Sequence, residues 1–103
     1  MATKASIEFD FRKVMNQAEQ IDGIANQLDH LSGNRFDSIM QEISANWKGD
    51  SASLYVSKGE SLQGNMNDTV SELRSIASDI RLIAKRLYIA EMAALAVAQN
   101  REY

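Results

Sequence analysis

Cysteine and proline are both missing from this sequence, and glycine is scarce, with five in 103 residues. Without cysteine there is no disulfide framework, no thiolate metal site and no nucleophilic thiol, and redox chemistry leaves both cytosol and export open. Without proline and with so little glycine, a strand-rich fold lacks its turn residues. The many Ala, Leu, Ile, Gln, Glu, Lys and Arg residues favour long helices instead. The expected class is all-α. Hydrophobic residues make up 45% of the chain, too many for disorder throughout, and the length suits one domain spanning 1–103.

Charge of one sign is also lacking. Eleven basic and fourteen acidic residues give a formal charge of -3, so no field draws the chain onto a phosphate backbone, and nucleic acid is not an expected partner. The first thirteen residues carry neither the basic head nor the apolar run of a secretory signal peptide, because Ile7, Phe9 and Phe11 alternate with charged residues. The longest apolar run, Leu87 to Ala98, is interrupted by Glu91 and falls short of the ~20 residues a span requires. No stable membrane span is expected, and the protein should be soluble.

What is present is helical period. Asp10 reads as an N-cap, with an irregular arm before it and Phe9 and Val14 placed as a hydrophobic staple. From there Phe11, Val14, Ala18, Ile21, Ala25 and Leu28 step by threes and fours, a heptad seam. Ser32-Gly33-Asn34 breaks the register, and the stripe resumes through Phe36, Ile39, Met40 and Ile43 in a shifted phase. Both a kink within one long helix and a true break into two shorter ones fit.

Trp47-Lys48-Gly49 then supplies the sharp reversal, with Gly49 suited to a left-handed residue and Asp50 or Ser51 to the next cap. A second stripe runs through Ala52, Tyr55, Gly59, Leu62, Met66, Val70, Leu73, Ala77, Ile80, Ala84, Leu87 and Ala94. The expected architecture is an antiparallel hairpin, with helix 1 over about 11–46, a turn at 47–50 and helix 2 over about 51–98. At ~1.5 Å per residue the second helix is the longer, so Phe11 falls opposite roughly Arg86 and everything after Leu87 projects beyond the first helix.

A hairpin alone cannot cover stripes this wide. Each fully buried Leu, Ile, Val, Phe or Met is worth about 1.5 to 3 kcal/mol, so half-covering a dozen leaves an isolated hairpin marginal. The seam residues Val14, Ile21, Leu28, Ile39, Ile43, Leu62, Met66, Leu73, Ile80 and Leu87 therefore call for a partner. An elongated four-helix bundle of two hairpins, homodimeric or with a related chain, meets that need.

Chemistry is thin. His30 is the only histidine, and no second His, Cys or spaced carboxylate pair makes it a metal site. No serine stands in a nucleophile-elbow context, and Gly59 and Gly64 are too far apart for a phosphate loop. Neither catalysis nor a cofactor is expected. Asn67-Asp68-Thr69 matches a glycosylation acceptor by pattern alone. Arg74, Arg81, Lys85 and Arg86 form a basic run that reads as a solvated face or as a match to an acidic groove.

About a hundred helix-patterned residues with Trp47-Lys48-Gly49 at the midpoint between two heptad stripes resemble the WXG family, the small ESAT-like substrates of bacterial type VII secretion. The resemblance implies head-to-tail dimers of helical hairpins, secreted without a cleaved signal peptide and cytoplasmic before export. It implies Trp47 packed across the hairpin end and Gly49 permitting the reversal. It also implies an export signal, a Tyr followed four residues later by an acid. Here Tyr88 has Met92 at that spacing, and the acid, Glu91, comes one residue earlier. The face of Tyr88, Glu91, Met92 and Leu95 is the expected contact with the secretion ATPase. Alternatives in function are a chaperone or targeting partner of a larger exported toxin, and a membrane-active effector.

Overall fold

The computed structural model describes residues 2–47 and 49–100. Lys48, the middle residue of the Trp-Lys-Gly triplet, lies outside them. The described residues hold helices and no strand: α1 (Lys4–His30), a π-helical turn (Leu31–Arg35), α2 (Phe36–Asn46) and α3 (Asp50–Asn100). The fold is an all-α helical hairpin. It packs as two units, one pairing the residues up to Ile21 with those from Ser75 onward, the other comprising Asp22–Arg74.

In the first unit α1 begins at Lys4, earlier than the periodicity suggests, and Asp10 lies inside the helix rather than capping it. The cap is Thr3. Its Oγ1 accepts from the Ser6 amide at 3.1 Å, and Ser6 Oγ accepts from the Thr3 amide at 2.9 Å, a reciprocal box with serine in the place usually held by Glu or Gln. The Ile7 amide donates to the Thr3 carbonyl at 3.0 Å, closing the first turn. The extension carries Ile7 into the interior at 2% exposure, four residues ahead of Phe11 on the same stripe. Phe9 is left exposed, so the expected staple is absent.

Small side chains set the helix spacing. Ala18, Ala77 and Ala84 are buried in this unit, and Ala25, Ser32, Ala52 and Val70 in the other. Alanine lets backbones approach closely, so the larger residues flank the contact line instead of filling it. Val14, Ile21, Leu28, Ile43, Met66, Leu73 and Ile80 are half-buried, whereas Ile39, Leu62 and Leu87 are exposed. These last three lie off the intrachain seam; Met40, Gln63 and Tyr88, each one position later, are more covered.

In the second unit the phase break at Ser32 to Asn34 is a π turn. The Phe36 amide reaches the Leu31 carbonyl, five residues back, and Phe36 itself is helical at φ -65°, ψ -44°. Such a turn holds one residue more than an α turn, which re-phases the stripe so that Phe36, Met40 and Ile43 continue the line of Leu28 and Ser32. The helix is neither cut nor looped. Polar groups of α3 serve this turn: Gln63 Nε2 donates to the Ser32 carbonyl and, at 2.7 Å, to Asp37 Oδ1. The buried Ser32 hydroxyl lies 3.0 Å from the Asp29 carbonyl and 2.9 Å from Asn67 Oδ1, and its single proton serves them alternately.

α2 ends where Trp47 turns extended, φ -133° and ψ 120°, its amide still donating to the Ile43 carbonyl at 2.9 Å. Gly49 has φ 118°, a conformation L side chains rarely adopt, and its carbonyl accepts the first bond of α3 from Ser53 at 3.1 Å. Asp50 opens α3 with its carboxylate beside the free amides.

Candidate functional site

Two places gather the residues that the sequence singles out. At the turn, Trp47 stacks on Tyr55 with ring centroids 5.0 Å apart and planes tilted by 38°. The indole stays 45% exposed and borders a shallow groove with Ser44, Ala52, Val56 and Glu60. The tryptophan thus covers the start of α3 with one face and leaves the other to solvent.

The second place is the C-terminal part of α3. The Tyr88 ring meets Phe11 at 4.8 Å between centroids, tilted by 39°. Glu91, Ala94, Leu95 and Ala98 border a groove closed on its other side by Ala2 and Ile7. Tyr88 and Glu91 also border the adjoining cleft with Asp10, Phe11 and Val14. The expectation that everything after Leu87 projects past the first helix is therefore overturned. Starting α1 at Lys4 brings extra helical turns alongside α3, and those turns cover the stretch. Tyr88, Glu91, Met92 and Leu95 are all half-buried, brought together on one side of α3 by their spacing.

The remaining chemical residues stay apart. His30 is exposed beside Asn26, Asp29, Gly33 and Asn34, and no cluster of metal-binding side chains occurs among the described residues. Arg74 of the basic run contacts Asn26 Oδ1 at 3.1 Å and Asp29 Oδ2 at 3.4 Å. Asn67 of the glycosylation-like triplet is engaged with Ser32. No helix among the described residues is long and apolar enough to cross a membrane.

Sequence reasoning missed Thr3, Ser6 and Ile7, which build the wall of the C-terminal groove. Ile7 sits four residues before Phe11, so the stripe itself carried the signal, hidden by the alternation of Ile7, Phe9 and Phe11.

The class defined by these features is a small helical hairpin with an aromatic turn and apolar surfaces. The family can be stated more closely. Residues 6–92 match the family model described as WXG100, proteins of 100 residues with WXG, and the chain belongs to that family. The matched region contains both helices' facing parts and the Trp47-to-Gly49 turn. Membership makes it a small protein associated with type VII secretion, in a family whose members typically pair as helical hairpins. No curated protein and no solved structure matches the chain.

Proposed function

We propose that this chain is a secreted substrate of a bacterial type VII system that works by dimerisation and protein contact, without catalysis or a cofactor. The family match across 6–92 carries the reading. The exposed large apolar residues along both helices support it, since Ile24, Ile39, Leu62, Ile83 and Ile89 gain nothing from solvent and fit burial against another hairpin. Before export the chain resides in the cytoplasm, and it leaves without a cleaved signal peptide.

The contact with the secretion ATPase is assigned to Tyr88, Glu91, Met92 and Leu95. One helical side presents a phenol, a carboxylate and two apolar groups, a pattern suited to docking in a receptor groove. Tyr88→Ala or Glu91→Ala is expected to abolish export while helicity and self-association persist. Secretion of either variant at the wild-type level would overturn the assignment.

The exposed apolar surface equally suits a targeting partner of a larger exported toxin. Coexpression separates the two: a chaperone copurifies as a heterodimer with the toxin's helical segment and forms little homodimer alone.

A further inference from the structure

Within the first unit α3 carries a second apolar stripe besides the one that meets α1. Ile76, Ile80, Ile83, Leu87, Ala90, Ala94 and Val97 alternate in steps of four and three, a strict heptad. All are exposed except the half-buried Ile80, with Ile76 at 48%, Ile83 at 62%, Leu87 at 56% and Val97 at 54%. The positions bordering the stripe on one flank, Ala77, Ala84, Glu91 and Ala98, are those that face α1. The other flank is open and carries Asp79, Arg86 and Ala93.

Asp79 and Arg86 lack charged neighbours along the helix. Three and four residues away from Asp79 stand Ser75, Ile76, Leu82 and Ile83; around Arg86 stand Leu82, Ile83, Ile89 and Ala90. Two opposite charges on an apolar flank, seven residues apart, form a self-complementary pattern: a two-fold axis across the stripe sets each against the other.

We propose that a second copy of this chain docks antiparallel on this stripe, with Ile80 facing Ile83 of the second copy, Ile76 facing Leu87, and Asp79 paired with Arg86 twice across the axis. The proposal rests on the paired-hairpin reading above and names the partner, the face and the register. Charge selects the register. Sliding one copy by a heptad in one direction sets Arg86 against Arg86, and in the other direction Asp79 against Asp79. A slide of two heptads leaves both charges facing uncharged Asn100 and Ala93. A parallel arrangement needs the flank of Ala84 and Glu91, which α1 occupies.

The test is sedimentation equilibrium of the full chain with charge-swapped variants, helicity being followed by circular dichroism. Asp79→Arg or Arg86→Asp alone puts two like-charge pairs across the axis and should weaken self-association by roughly tenfold. The double variant Asp79→Arg/Arg86→Asp should return to within about threefold of wild type, because the pairs re-form with signs exchanged. Ile83→Asp should leave a helical monomer. A wild-type monomer, or pairing only with a different hairpin, overturns the choice of partner. Single reversals without effect, or a double variant no better than the singles, overturn the register. Export of the wild-type chain, followed in parallel, tests the secretion reading separately, since it can succeed whichever way the swap turns out.

Discussion

The ring of Phe11, in the second turn of α1, lies against the ring of Tyr88 near the far end of α3, with centroids 4.8 Å apart. This pair joins the start of the chain to the side of α3 assigned to export. A tilted aromatic pair contributes about 0.5 to 1.5 kcal/mol beyond area burial. A double-mutant cycle with Phe11→Ala and Tyr88→Ala should show a coupling of that size in urea unfolding. Tyr88→Phe should unfold like wild type, because the ring stays and only the hydroxyl goes. If Tyr88→Phe still loses export, the phenol itself is read by the machinery; if only Tyr88→Ala loses it, ring packing suffices.

Glycine substitutions should divide by backbone and by neighbour. Gly49→Ala forces a side chain into φ 118° and is expected to destabilise by about 1 to 2 kcal/mol. Gly64→Ala lies on α3 with nothing within 4 Å of the added methyl, so helix propensity alone applies and stability should rise by about 0.8 to 1 kcal/mol. Gly59→Ala meets the Met40 Sδ and Cε at 2.6 and 2.5 Å, the flexible end of a side chain that can swing aside. Its propensity gain is therefore offset, and thermal unfolding should place it between the other two.

The hairpin was legible because heptad steps survive on both sides of one turn tryptophan, and those steps need no knowledge of the partner helix. The start of α1 was not. Serine at the third helical position closes the cap as Glu would, but it lacks that residue's signature, so Asp10 looked like the better cap. One hidden start then propagated: without Ile7 on the helix, the groove along Glu91 and Leu95 could not be foreseen, and the C-terminal stretch read as projecting. Gln63 was equally opaque. A polar residue on the contact line makes sense only once the π turn presents the Ser32 carbonyl to it. The two apolar stripes of α3 were read as one wide seam, because period alone does not say which half of a broad face meets the other helix.

Arg74 contacts Asp29 at 3.4 Å, with both side chains about half exposed, 48% and 54%. Exposed pairs contribute about 0 to 1 kcal/mol and weaken with salt. Arg74→Ala should therefore shift the unfolding free energy by less than ~1 kcal/mol, and the difference from wild type should shrink between low and high salt. A larger, salt-insensitive loss would mean that the arginine's aliphatic stem, not its charge, matters here.

The π turn makes a prediction about chain length. It holds one residue beyond an α turn, and the stripe on either side is in phase only because of it. Deleting Gly33 should let the segment relax to regular α-helix with Leu28, Ser32, Phe36, Met40 and Ile43 still on one line. Deleting Gly23 instead removes a residue from uninterrupted α-helix and rotates the preceding stripe by about 100° against the following one, taking Ala18 or Ala25 off the contact line. Helicity should survive the Gly33 deletion, at the loss of the bond from Gln63 to the Ser32 carbonyl, worth about 0.5 to 1.5 kcal/mol. The Gly23 deletion should lose several times as much, because each misplaced apolar residue forfeits its burial. Circular dichroism with urea titration distinguishes them, and equal losses for the two deletions would show that the extra residue is not what sets the phase.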